Sequence, residues 1–362
     1  MIPYLALLGV PSFLALSGVR KGRVTLIVVA LFFWIMIGFR FQVGMDWDNY
    51  VLQYQYDYYL RRDLGLTDVL FRMEPGFALL NWFAVKTGMG VILVHAAAAL
   101  VFCWGFFRFA ARCPEPFIAI AVATPLLVIA FAMSGIRQAT ALGMILMLFA
   151  TWDERSMRSR VLIVLFASLF HFSALFVLIF VALSARVPAG QKVLAVGATA
   201  MILFVIILAA PGAIQSYSEL YVSGQKKVDA PGALAQIGVI ASAAVAYFLY
   251  RRPLEAILGD HPLYRHLAVT SIIAIPAALI SSVGAYRFAL YLWPMVMYVT
   301  SAIPLTMKRP EARLAYRTII VILAFALLVG WMTQANSSWA WLPYKNWWLQ
   351  PEDARLVRGR VY

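Results

Sequence analysis

The chain has 362 residues, of which 63% are hydrophobic and only 13% charged, and its mean hydropathy is +0.83. Soluble domains carry about 25% charged residues, so this composition excludes a water-soluble enzyme and describes a helical protein that crosses a bilayer repeatedly. The net charge of +14 would suit a nucleic-acid binder, but excess Lys and Arg in cytoplasmic loops accounts for it, and no nucleic-acid partner is expected.

In chain order, the opening MIPYLALLGVPSFLALSGVR lacks a basic start and reads as a retained first span rather than a signal peptide. Apolar segments cover 2–18, 24–41, 76–107, 117–151, 161–184, 193–210, 233–250, 267–306 and 317–333. Three of these, 76–107, 117–151 and 267–306, are too long for one crossing of ~20 residues and must bend or turn. In 76–107 the sequence predicts an interfacial helix opened by Glu74-Pro75, then a true span. In 117–151 the apex falls at Ser134-Gly135, and in 267–306 the break is Ser281-Ser282-Val283-Gly284. The expected fold is an all-α polytopic membrane protein, a single domain over 1–362 with roughly 10–12 transmembrane helices, some short or broken.

Basic loops set the orientation. Arg20/Lys21/Arg23, Arg108/Arg112, Arg155/Arg158/Arg160, Arg186/Lys192, Arg251/Arg252/Arg265 and Lys308/Arg309/Arg313/Arg317 read as cytoplasmic. They agree only if 161–184 enters and leaves on one side, with His171 at its turn; a single tilted span fits its length equally well. The N-terminus then lies outside, together with a tyrosine-rich loop at 43–75 that carries interfacial helices. The 334–362 tail also falls outside, against the charge rule.

This topology gathers Arg40, Asp46, Asp48, Arg72, Glu74, Arg137, His171 and Arg287 toward the outer face, where arginines are not expected. Arg137, in AMSGIRQATALG, and Arg287, in GAYRFALYLWP, either snorkel to headgroups or share a cavity. In a cavity they would form an anion site, since guanidinium groups bind phosphate through paired donors. Glu74 is either a helix-start carboxylate or a general base. Asp46-x-Asp48 offers three readings: a metal-binding pair, ligands for substrate hydroxyls, or solvated loop acids. His171, in LFHFSALF, is a core histidine or an orienting group. The histidines form no HExxH pattern, and Cys103 and Cys113 give no disulfide framework or zinc spacing. Tryptophans in 339–348 would stack on sugars or sit in an interfacial belt.

Taken together these segments resemble, over residues 39–348, the EpsG-like polysaccharide polymerases, relatives of the Wzy class. FRFQVGMDWDNY resembles the family's arginine, Val-Gly-x-Asp and following Tyr, with Trp47 where the family more often has tyrosine. MEPGFALLNWF is similar to its Glu-x-Gly-Phe segment, SGIRQATALG to its Arg-Gln-x-x-Ala helix and LFHFSALF to its Phe-His-x-Ser-Ala block. YRFALYLWP and WLPYKNWW are similar to its late Arg-x-x-x-Tyr and Trp-x-Pro-Tyr elements.

The resemblance implies a bacterial inner-membrane glycosyltransferase of exopolysaccharide, capsule or O-antigen synthesis, with its active site facing the periplasm and kinship to GT-C-type enzymes. Its substrate would be an oligosaccharide on undecaprenyl diphosphate, and its partners a chain-length regulator and flippase of the same pathway. On that reading Arg137 and Arg287 bind diphosphate, with Arg40 and Arg72 as further candidates. Glu74 is the base and Asp46 the alternative, Asp48 binds substrate, and His171 and Tyr344 orient it. No cofactor or metal is implied, because arginine can do a cation's work. The remaining alternatives are an O-antigen ligase or other GT-C-type transferase, and a transporter of lipid-linked sugars.

Overall fold

The computed structural model describes residues 1–18, 22–61, 74–185, 187–209, 231–280 and 282–349. Arg72, the loop around it and the tail beyond 349 lie outside the described residues. The chain is an all-α polytopic membrane protein. Among the described residues four helices are long and apolar enough to cross a bilayer, and five more are apolar but shorter.

The helices run α1 (Ile2–Leu16), α2 (Arg23–Gly38), α3 (Trp47–Arg61), α4 (Pro75–Thr87) and α5 (Val91–Ala110). Then comes α6 (Pro116–Ala123), which passes into a π-helix at Thr124–Ala132, followed by α7 (Ile136–Ala150) and α8 (Met157–Ser168). A 3-10 turn at Phe172–Val177 leads into α9 (Leu178–Leu183), and α10 covers Ala189–Ala209. The last group is α11 (Pro231–Leu258), α12 (Pro262–Ile280), α13 (Ser282–Ala289), α14 (Trp293–Ala302) and α15 (Pro310–Gln334).

The breaks fall where the sequence places them. Pro75 opens α4 at its first turn, where a missing N–H costs nothing, and Gly88 ends it with φ +66°. The π-helix stops at Ala132, Met133-Ser134 form a turn, and α7 begins at Ile136. The 161–184 segment is a hairpin: Arg160, near its start, donates to Ser184 Oγ at its end over 2.9 Å, so both arms meet at one end of the bundle. His171 caps the 3-10 turn at the opposite end.

Polar contacts divide the molecule into two ends. At the basic end Arg112 pairs with Glu154 (2.7 Å), Arg317 with Glu115, and Arg160 lies over the Trp152 ring. The other end holds Asp46, Glu74, Arg137, His171 and Arg287. Between them lies a core of small and aromatic residues. In lipid, helices gain little hydrophobic energy from each other, so close backbone packing carries more of the association. Helices α5 and α7 show this most clearly: a Cβ on Gly105 would sit 1.8 Å from the Gly143 carbonyl oxygen, and one on Gly143 would sit 2.6 Å from Phe102 Cα. That contact fixes the height of α7, and with it of Arg137.

Candidate functional site

At the polar end a cavity of about 670 Å³ opens between α3, the π-helix, α7, the His171 turn, α13 and the end of α15. Three charged side chains line it, Asp46, Arg137 and Arg287, together with His171.

Asp46 is positioned by Gly44. That glycine has φ +100°, and a Cβ there would lie 2.3 Å from the Met133 carbonyl oxygen. Only glycine tolerates both the left-handed backbone and this approach. Its N–H donates to the Ala340 carbonyl (2.8 Å). The loop therefore lies pinned between the end of the π-helix and the segment after α15. Ser134 completes the hold: its hydroxyl donates to Asp46 Oδ2 (3.2 Å) and accepts the Asp46 backbone N–H (3.3 Å). A π-helical stretch whose Leu126, Ala130 and Phe131 line the cavity fits the frequent association of such distortions with functional sites.

Arg137 stands in the first turn of α7. Its Nη1 donates to Glu74 Oε2 at 2.9 Å, and the guanidinium carbon lies 5.9 Å from the centroid of the Phe77 ring. Tyr50 flanks the same group. Glu74 itself sits at the N-cap of α4, beside Gly76, whose N–H donates to the Leu169 carbonyl (2.8 Å) and whose missing side chain admits the Phe170 ring. The Glu-x-Gly-Phe segment is thus docked on the His171 hairpin, and its carboxylate anchors Arg137. Glu74 is not among the residues that line the cavity.

Arg287, on α13, is exposed to the cavity and makes no ion pair among the described residues. Its backbone carbonyl accepts from Gln138 Nε2 (2.7 Å), which also donates to Ser173 Oγ (3.1 Å). Ser173 Oγ lies 2.7 Å from His171 Nδ1 and 3.0 Å from the Tyr291 hydroxyl. One amide side chain therefore links both arginine-bearing helices to the histidine turn. His171 lies outside both arms of the hairpin. Burial, with Arg287 and Arg137 nearby, pushes its imidazole down to about 3, so it stays neutral at physiological pH.

Other residues singled out in the sequence lie away from the cavity. Arg40 is fully buried and donates to the carbonyls of Ile37 (2.6 Å) and Val43 (3.1 Å). Its backbone pairs with Asn346 in an isolated bridge, flanked by Phe41 N–H to Lys345 O and Trp347 N–H to Phe39 O. Tyr344 belongs to the same clasp, donating to Met36 O (3.0 Å) and meeting the Tyr4 ring edge to face. WLPYKNWW thus folds back over the end of α2. The two acids of the Asp46-x-Asp48 pair also part, because Asp48 is exposed in the first turn of α3 and does not line the cavity.

Uncharged residues that no sequence motif marks, chiefly Gln236, Trp331, Gln334 and Asn336, line the same cavity, as does Gln138 of the Arg-Gln-x-x-Ala element. Amides at the ends of apolar runs were the available signal. Gln138 lies directly beside the arginine already suspected.

The EpsG family model matches residues 23–346 of the chain, a range that takes in Asp46, Arg137, His171, Arg287 and the α15 wall. No match to a curated protein or a solved structure accompanies it. The match covers most of the sequence and all the elements that build the cavity, and on that ground the chain belongs to the EpsG family, a group of polysaccharide-polymerase-like membrane proteins.

Proposed function

We propose that the chain is a polysaccharide polymerase that moves a glycan from a polyprenyl diphosphate, undecaprenyl diphosphate in bacteria, onto a lipid-linked repeat unit at the periplasmic face of the inner membrane. The observation that carries this reading is the shared cavity of Arg137, Arg287 and Asp46 at one end of the apolar bundle. Two guanidinium groups suit a diphosphate, whose charge grows as it leaves, and preorganised cations stabilise such a transition state without reorganising.

In the proposed reaction an acceptor hydroxyl attacks the anomeric carbon of the donor glycan. A new C–O bond forms while the anomeric bond to the diphosphate oxygen breaks, and the lipid diphosphate leaves with that electron pair. The hydroxyl proton passes to Asp46, whose carboxylate is oriented by Ser134. Glu74 keeps Arg137 in place rather than accepting the proton, since its carboxylate is paired with the guanidinium and does not line the cavity. His171, neutral, contributes hydrogen bonding rather than charge.

The test is chain extension of a purified lipid-linked repeat unit by wild type, Asp46→Asn and Arg287→Ala. Longer glycans with wild type and their loss in both variants are expected. Translocation of the lipid-linked unit in sealed vesicles without any chain growth would overturn the reading in favour of a transporter.

A further inference from the structure

Two groups of residues line the cavity along with Asp46. Arg137, His171 and Arg287 form one: Gln138, next to Arg137, donates to the Arg287 carbonyl and to Ser173, which bonds His171. The other is the end of α15 with the turn that follows it, whose Ala340 carbonyl accepts the N–H of Gly44, two residues before Asp46. Trp331, Gln334, Asn336 and Trp341 face the cavity there, and no charged side chain from that segment lines it. The two tryptophan rings meet edge to face with centroids 4.8 Å apart, and Trp341 is fixed by donating Nε1–H to the Ile129 carbonyl (2.9 Å). Gln334 and Asn336 are exposed.

A rigid aromatic face beside free amides is what a pyranose ring needs, and Trp331, backed by the buried Trp341, supplies it. The sugar's C–H face stacks on the indole, and its hydroxyls exchange hydrogen bonds with groups that both donate and accept. The lack of a charge on this wall disfavours an ionised sugar, whose desolvated carboxylate would find no partner there. We propose that the α15 wall is the acceptor subsite of the cavity and that it takes an uncharged sugar, with the arginine side reserved for diphosphate. This rests on the polymerase reading, since it divides that site into an acceptor half and a donor half. Asp46 then stands at the seam, where the acceptor hydroxyl meets the donor's anomeric carbon.

Binding to the purified full chain, followed by tryptophan quenching and calorimetry, tests this with two probes. One is a panel of lipid-free neutral and uronic-acid-containing oligosaccharides, and the other is geranylgeranyl diphosphate. Neutral oligosaccharides should bind in preference to uronic-acid-containing ones. Trp331→Ala should weaken the best of them about tenfold, and the exposed-site variant Asn336→Ala, which does not threaten the fold, should weaken it measurably. Both variants should keep wild-type affinity for geranylgeranyl diphosphate, whereas Arg287→Ala should lose that affinity and keep the oligosaccharide. Preference for uronic-acid-containing glycans, unchanged oligosaccharide affinity in both wall variants, or no neutral binding at all would overturn the proposal. Failure of geranylgeranyl diphosphate to bind wild type, with neutral binding intact and sensitive to Trp331, would overturn the diphosphate reading instead and leave the sugar wall standing.

Discussion

Glu74 and Arg137, 63 residues apart in sequence, form an ion pair of 2.9 Å at the rim of the cavity. The carboxylate is mostly shielded, the guanidinium about one-third exposed. A pair in this position lies between surface pairs worth at most ~1 kcal/mol and buried ones whose disruption costs ~3–5 kcal/mol. Glu74→Gln and Arg137→Met should therefore each cost about 1–2 kcal/mol of stability. The double variant should lose less than the sum, because the second change removes a group already left unpaired. Thermal unfolding in detergent measures this, and additive losses would show that the pair contributes nothing. If Glu74 were instead the proton acceptor, Glu74→Gln would abolish turnover at unchanged stability.

Asp46 and Ser134 predict a graded series in catalysis. General-base removal costs about 10²- to 10⁴-fold in rate, so Asp46→Asn should fall in that range while still binding the lipid-linked substrate. Ser134→Ala keeps the base and loses its orienting hydroxyl, and a loss of about tenfold is expected. Single-turnover extension assays separate these effects from binding. Equal losses in the two variants would argue that Ser134 does more than orient.

Gly44→Ala probes the loop that presents Asp46. The new methyl would meet the Met133 carbonyl, and the backbone is already left-handed, so strain of about 1–3 kcal/mol is expected. Activity should fall together with the melting temperature, because the same movement that relieves the clash carries Asp46 away from Ser134. Gly18, also at positive φ but with open space around it, is the control: alanine there should leave activity unchanged.

These residues also show what the sequence makes legible. The breaks at Ser134-Gly135 and before α13 and the start of α4 at Pro75 follow from segment length, glycine and proline, whereas the hairpin at His171 follows from the positions of charges, its length fitting a single tilted span equally well. Those signals set how deep a residue lies in the bilayer and at which end. They do not set the direction in which it faces. Arg40 and Arg137 have similar sequence surroundings, yet one holds backbone carbonyls inside the clasp and the other borders the cavity. Tyr344 likewise lies at the right end of the molecule and on the clasp rather than the cavity. Azimuth depends on helix packing, such as the Gly105–Gly143 contact, and local patterning carries no record of it. Gln334 and Asn336 were illegible for a different reason: polar residues that end an apolar run look like ordinary helix termini.

The α5–α7 contact yields its own prediction. Gly105→Ala places a methyl against the Gly143 backbone, which cannot move aside as a flexible side chain would. Overpacking of this kind costs about 1–3 kcal/mol, and the helices must separate to relieve it. Because α7 carries Arg137 and Gln138, the variant should also lose activity while every cavity side chain remains chemically intact. A folded Gly105→Ala protein with wild-type extension rates would show that the height of α7 does not matter to the site.

His171 supplies the pH prediction. Its folded-state pKa, about 3, lies below the usual value of 6.5, so folding favours the neutral ring. The stability this contributes is fully present above about pH 6.5 and is lost as the pH falls from there toward 3, when the unfolded chain takes up a proton that the fold refuses. His171→Gln keeps hydrogen-bonding capacity but cannot titrate, so its stability should fall less steeply across that window. Extension rates between pH 6 and 8 should keep the wild-type profile, because the ring is neutral throughout and its bond to Ser173 requires no charge. A profile that shifts in His171→Gln, with stability unchanged in acid, would show that this histidine exchanges protons during turnover and is not confined to orienting the groups around it.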